Sequence, residues 1–243
     1  MTYDLSIVIP CYNEARTIAG TLETVTRWLA GTAWSWEILV VNDGSRDATA
    51  SETIRAARAL APRHIRLLEH AENRGKGAAV RTGVLASTGR AVLLYDADGA
   101  TPIGETAKCL PYLNQGADLV AGSRRIAGST IRRHQPWVRQ ILGACYTVLT
   151  NWLVAGRVSD ITCGFKLLRG EAAHAIFSRM RVAGWSFDAE VFYLARRLGY
   201  RIVEVPVIWT DQPNTKVRLL RDAAASFTEL LAIRRRAFRG EYR

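Results

Sequence analysis

The chain has 243 residues, 49% of them hydrophobic and 23% charged, an ordinary balance for a folded α/β protein that argues against disorder. Its formal net charge of +11 is local: residues 124–139 hold five arginines and no acid, residues 216–243 hold eight basic and three acidic residues, and the rest of the chain is nearly neutral. Two anion-binding places follow from that distribution, which excludes a uniformly cationic, nucleic-acid-coating surface.

The N-terminus, MTYDLSIVIPCYNE, meets an acid and then a proline within ten residues. It lacks the basic start and apolar run of a signal peptide, so a cytoplasmic protein is expected. Continuous apolar runs bounded by turn residues follow at 5–10, 36–43, 64–70, 91–96 and 117–123, as strands buried on both faces read. Helix-length segments near 14–31, 47–61, 76–88 and 104–115 separate them, with Asp47 and Thr49 placed to cap the second. The alternation predicts a doubly wound, mostly parallel sheet with helices on both faces, in which ligands sit beyond the carboxyl ends of the strands.

After residue 124 the rhythm breaks. An arginine-rich loop leads into residues 137–156, which carry a single charge, Arg139. Twenty residues would just span a bilayer, but Arg139, Gln140 and Asn151 weaken that reading, and a helix lying against the membrane or the core is expected instead. The run DITCGFKLL (160–168) reads as strand or extended chain, 186–199 as helix and 200–209 as strand. The tail over 217–239 sets Leu220, Ala223, Ala224, Phe227, Leu230 and Leu231 on one helical face and ends in RRRAFR. The organisation expected is a single domain over 1–216, with a nucleotide-binding part (1–123) and an acceptor-side part (124–216), followed by a basic amphipathic helix in 217–243. Cys11, Cys109, Cys145 and Cys163 are too scattered for a zinc site or a disulfide framework and are expected as free thiols.

Two nucleotide motifs are absent. The first strand is followed by PCYNEA and not by Gly-x-Gly-x-x-Gly, and RGKGAA lacks the spaced glycine and the Ser or Thr of a P-loop. Asp96 and Asp98, in contrast, stand i, i+2 after an apolar run, a spacing that aims both side chains the same way in extended chain. Like charges so placed call for a cation, and an oxygen-only set in an open crevice suits Mg²⁺ or Mn²⁺ shared with substrate phosphates. Asp43 lies on an Asn-Asp-Gly turn, and Tyr12, Asn13 and Glu14 can also be read as a helix start.

Seven collinear stretches carry a resemblance: SIVIPCYNEARTI, EILVVNDGSRDAT, ENRGKGAAVRTG, LLYDADGATP, LVAGSRRI, ITCGFKLLRG and EVPVIWTDQPNTKV. Together they resemble the family 2 glycosyltransferases, in particular the polyprenyl-phosphate sugar synthases that make dolichyl-phosphate glucose, with the mannose synthases next. The resemblance implies a fold of the nucleotide-diphospho-sugar transferase type, GT-A like, and an inverting transfer of a hexose to a polyprenyl phosphate. It places Pro10, Tyr12, Glu14 and Asp43 at the nucleotide, together with Lys76. Asp96 and Asp98 would hold Mg²⁺ or Mn²⁺ on the donor diphosphate, Arg124 and Arg139 the acceptor phosphate, and Lys216 the donor phosphates from a closing loop.

Where mannose synthases follow the acid pair with Leu-Gln, this chain has Gly99 and Ala100, which favours UDP-glucose as donor over GDP-mannose. GDP-mannose with the same acceptor, and a family 2 enzyme acting on a non-lipid acceptor, are the alternatives. The latter would look to Asp188 or Glu190 for a base. The partners expected are a nucleotide sugar, a polyprenyl phosphate such as dolichyl or undecaprenyl phosphate, and the inner face of the cytoplasmic membrane, where the protein would be peripheral, beside a separate integral membrane partner; nucleic acid is not expected.

Overall fold

The computed structural model describes residues 2–61, 63–133, 137–211 and 219–242, apart from the side chains of Val138, Arg139, Ala155 and residues 219–224. The first strand, β1 (Tyr3–Cys11), is followed by α1 (Ile18–Ala30), β2 (Trp36–Asp43), α2 (Thr49–Leu60), β3 (Ile65–His70), α3 (Lys76–Ala86) and β4 (Gly89–Leu94). All four strands pair in parallel in the order β3-β2-β1-β4. In β1 side chains alternate between the two faces: Leu5, Ile7 and Ile9 pack under α1, whereas Val8 packs under α3 and the later helices. Gly83 lets α3 approach closely, because a Cβ there would lie 2.4 Å from a methyl of Val8.

The chain continues through α4 (Thr106–Asn114) and β5 (Leu119–Ser123), then β6 (Thr130–Arg133), α5 (Trp137–Thr150) and a π-helical turn (Asn151–Ala155). It returns through β7 (Lys166–Arg169), α6 (Gly170–Arg179), α7 (Phe187–Arg197), β8 (Ile202–Pro206), β9 (Ile208–Thr210) and α8 (Leu219–Phe238). The main sheet has seven strands in the order β3-β2-β1-β4-β7-β5-β8, and β6 and β9 form a separate parallel pair.

One strand runs the other way. β7 is antiparallel to both β4 and β5 and lies between them, with Lys166 opposite Leu94 on one side and Ala121 on the other. A parallel neighbour would enter the sheet at its amino edge. Because β7 enters from the opposite edge, the loop preceding it, residues 156–165, is delivered to the carboxyl ends of β4 and β5, where motif residues sit.

The doubly wound sheet and its expected strands are present, with shifted edges. β4 ends at Leu94, two residues before Asp96, so the acid pair stands beyond the ladder. Strand β6 and helix α6 have no counterpart in the expected elements. The 137–156 segment is α5 plus the π-helical turn, with Trp137, Val148 and Trp152 exposed at 71%, 69% and 81%. Among the described residues no helix is long and apolar enough to cross a membrane.

Candidate active site

The loops after β1 and β2 are knitted together. Asn13, in the left-handed region at φ 54°, donates its backbone N–H to Ser45 Oγ (2.9 Å) and accepts from the Arg46 N–H through Oδ1 (2.8 Å). Glu14 donates its N–H to Thr49 Oγ1 (2.7 Å) and accepts from Thr17 Oγ1 (2.5 Å). Asp47 accepts from the Thr49 N–H and hydroxyl at the start of α2. Pro10, Tyr12 and Glu14 are half-buried along this rim.

Asp43 is 2% exposed. Its Oδ1 meets His70 Nδ1 at 2.7 Å and the Arg74 N–H at 2.9 Å, and its Oδ2 accepts from Asn73 Nδ2 (2.9 Å) and the Gly75 N–H (2.8 Å). A carboxylate accepting backbone N–H groups in this way fixes the loop that supplies them. The residue after that loop is Lys76, the first of α3, whose Nζ lies 2.7 Å from Asp96 Oδ1 and 5.6 Å from the Trp185 ring centre.

The two acids after β4 have different surroundings. Asp96 is half-buried, and burial, which alone would raise its pKa, is outweighed by Lys76, Lys166 and Arg124, so that it lies below the usual carboxylate value. Asp98 is exposed at the crevice surface and accepts from the Ala100 N–H (3.0 Å) as Gly99 turns the chain at φ 62°. Desolvation by the crevice walls, followed by repulsion from Asp96, pushes Asp98 up to about 6. Two carboxylates with one so raised fit an oxygen-ligated divalent cation, which would relieve their repulsion. No group of three His, Cys, Asp or Glu side chains surrounds such a position among the described residues.

Arg124, just after β5, is held by Asp160, which is 0% exposed. Asp160 Oδ2 accepts from the Arg124 N–H (3.0 Å) and Nε (2.7 Å), and Oδ1 from Nη2 (2.8 Å). Nη2 also donates to Thr162 Oγ1 (2.9 Å), and the guanidinium lies 5.1 Å from the centre of the Trp209 ring. Burial tends to lower the Arg124 pKa, but Asp160 overcomes it and holds the group above its ordinary value.

Between these sides lies Gly164. A Cβ at that position would stand 2.0 Å from Asp96 Oδ2, so the loop backbone rests directly against the carboxylate. β9 joins the same region, because the Thr210 N–H donates to Ala100 O (2.9 Å). Asp96 and Arg124 influence one another electrostatically, and so do Asp98 and Glu14. Asp96, Asp98, Lys76 and Arg124 therefore lie in one region at the carboxyl edge of the sheet. Lys216 lies outside the described residues, as does the side chain of Arg139, whose backbone belongs to α5.

The candidate bases are committed elsewhere. Asp188 is 5% exposed, with Oδ1 2.7 Å from Lys166 Nζ. Glu190 is fully buried, accepting from the Arg181 and Val182 N–H groups (2.9 and 2.6 Å) and from the Tyr242 hydroxyl. The sequence reading missed Asp160, Lys166, Trp185 and Trp209. The signal for the first two lay in DITCGFK, a mostly apolar stretch that begins and ends on a charge, both of them buried.

An acid pair and an anchored arginine at the carboxyl ends of a doubly wound sheet suit a transferase of the nucleotide-sugar class. The chain belongs to glycosyl transferase family 2, whose profile matches residues 6–177. Within it the chain is similar to dolichyl-phosphate beta-glucosyltransferases: 31% identical to that of Dictyostelium discoideum, over 97% of this chain and 75% of the relative, and 31% identical to that of Homo sapiens, over 100% and 78%. The Drosophila melanogaster protein of the same name is 36% identical over 88% and 69%. The fold matches glucosyl-3-phosphoglycerate synthase from Mycobacterium tuberculosis, solved in complex with Mn²⁺, UDP and glucosyl-3-phosphoglycerate, with a TM-score of 0.71 at 19% identity over 96% of this chain and 80% of that chain.

Proposed function

We propose that the protein transfers glucose from UDP-glucose to a polyprenyl phosphate with inversion at the sugar. The observation that carries this reading is the proximity, across the β7 loop, of Asp96 to Arg124, with Asp98 next to Asp96. The relatives named above support the glucosyl donor and the lipid-phosphate acceptor, and Gly99-Ala100 leaves the acid pair without a neighbouring side-chain amide.

A phosphate monoester has its second pKa near 6 and is already anionic at neutral pH, so the acceptor needs no general base. That agrees with Asp188 and Glu190 being occupied by internal partners. The work of the site is to bring two anions together and to stabilise charge on the leaving diphosphate. Asp96 and Asp98 would hold Mg²⁺ or Mn²⁺, which supplies that stabilisation when bound. Lys76 adds a cation beside Asp96, and its position is set by the loop that Asp43 pins. Pro10, Tyr12 and Glu14 form the rim that would receive the nucleotide, and Asp43 would act there through the same loop. Arg124 presents a guanidinium oriented by Asp160, whose Nη1 is engaged by no described residue and suits an acceptor phosphate. Arg139 and Lys216 are retained as acceptor and donor phosphate contacts on the strength of the family resemblance.

The acceptor's lipid tail calls for access to a membrane surface, and we place the protein at the inner face of the cytoplasmic membrane as a peripheral enzyme. Trp137, Val148 and Trp152 on α5 and its π-helical turn, with Phe227, Leu231 and Phe238 on α8, leave large apolar side chains exposed. The π-helical turn packs on α8, and α8 ends in arginines that an anionic leaflet attracts. A panel of UDP- and GDP-sugars offered with polyprenyl phosphate tests the function. Transfer of label into the organic phase from UDP-glucose alone is expected; transfer from GDP-mannose alone overturns the donor assignment.

A further inference from the structure

We infer that Lys166 is a positioning residue, whose ammonium fixes the 160–165 loop and so sets the gap between the donor acids and Arg124. The inference rests on the reading given under Proposed function. Lys166 is 0% exposed, an unusual place for a lysine. Its Nζ donates to Ile161 O (3.1 Å) and Cys163 O (2.5 Å) and lies 2.7 Å from Asp188 Oδ1. The Phe192 ring, centred 5.3 Å away, closes another side.

The two carbonyls that Lys166 holds flank the residues that touch the reacting groups. Asp160 and Thr162 carry Arg124, and Gly164 rests on Asp96. Because β7 pairs with β4 and β5 at Lys166 itself, the ammonium is anchored to the two strands that present the acids and the arginine. A buried cation bonded to carbonyls holds backbone more firmly than a neutral donor does. Asp188 balances the charge, and in this arrangement it serves Lys166 and not the acceptor.

Lys166→Met keeps the unbranched apolar stem, one atom shorter, and removes the donors. Wild-type transfer from UDP-glucose is measured first, because its absence refutes the functional reading and leaves Lys166 to be judged on the loop alone. In Lys166→Met, amide hydrogen exchange across 160–165 should rise and kcat should fall about 10–100-fold. The UDP-glucose dissociation constant, from calorimetry without added metal, should stay within about threefold, because the base and ribose bind along another rim. Unchanged exchange at 160–165, or a lowered Tm with kcat intact, overturns the inference. If Lys166→Met does not fold, Lys166→Met/Asp188→Asn, which leaves no unbalanced charge, is read by the same exchange and affinity measurements with the same expectations. Recovery of wild-type exchange in that double variant would show that Lys166 only neutralises Asp188 and would also overturn the inference.

Discussion

Gly164→Ala separates the geometry of the site from the stability of the fold. The new Cβ would stand 2.0 Å from Asp96 Oδ2, 2.6 Å from Cγ and 2.9 Å from Oδ1. Ordinary contact is about 3.5 Å, so the carboxylate must retreat by about 1.5 Å. All three nearest atoms belong to the end of one side chain, so Asp96 can swing away while the backbone of the loop and β4 stays in place. That movement breaks the 2.7 Å contact with Lys76 and takes one acid away from its partner.

A misplacement of about 1 Å at a reacting centre can cost about 100-fold. Gly164→Ala should therefore lose about that factor in kcat for glucosyl transfer, while Tm, from differential scanning fluorimetry, stays within about 3 °C, equivalent to roughly 1 kcal/mol in a domain of this size. Activity within about threefold of wild type would refute the placement of Asp96 in the reaction. A Tm lowered by more than about 10 °C, with unchanged turnover per folded molecule, would show the contact to be a matter of packing alone.

Other predictions follow from the same structure. Asp160→Ala leaves the Arg124 guanidinium without its buried partner, so a loss of roughly 3–5 kcal/mol is expected, seen as a Tm lowered by roughly 10 °C in thermal melts and accompanied by a raised KM for the lipid phosphate. Asp98 has its folded pKa raised to about 6 from 3.8, so its charge opposes folding at neutral pH; the metal-free protein should gain stability as pH falls through 6 towards 4, and Asp98→Asn should melt higher than wild type at pH 7.5 yet lose turnover. For the same reason, Mn²⁺ binding by wild type, followed by electron paramagnetic resonance, should weaken below about pH 6 as protons compete. Tyr242→Phe removes the hydroxyl bonded to Glu190, and a loss of about 1–3 kcal/mol with faster hydrogen exchange at the end of α8 should result.

The parallel half of the sheet could be read from the sequence because β1, β2 and β4 are buried on both faces and appear as unbroken apolar runs. The acid pair was legible for a related reason, since two carboxylates after such a run have no structural excuse. Less local features were hidden. β6 is Thr-Ile-Arg-Arg, mostly exposed, and it is a strand only because β9 lies beside it. α6 begins at Gly170 after Arg169, without a side-chain cap, and is ten residues long, too short for its period to stand out. Nothing within KLLR specifies direction, so the antiparallel course of β7 comes from its neighbours. The buried roles of Asp43 and Glu190 were equally out of reach, because their partners include backbone N–H groups and a tyrosine 52 residues away.

That tyrosine has a consequence for the birth of the protein. Tyr242 is 2% exposed, packs its ring 5.5 Å from that of Tyr193, and closes the polar pocket around Glu190. At about 5–20 residues per second, synthesis of the segment between the two partners takes roughly 3–10 s. Throughout that interval Glu190 waits in the forming core without its hydroxyl partner, so this part of the interior closes only after Tyr242 has been made and has folded back onto it.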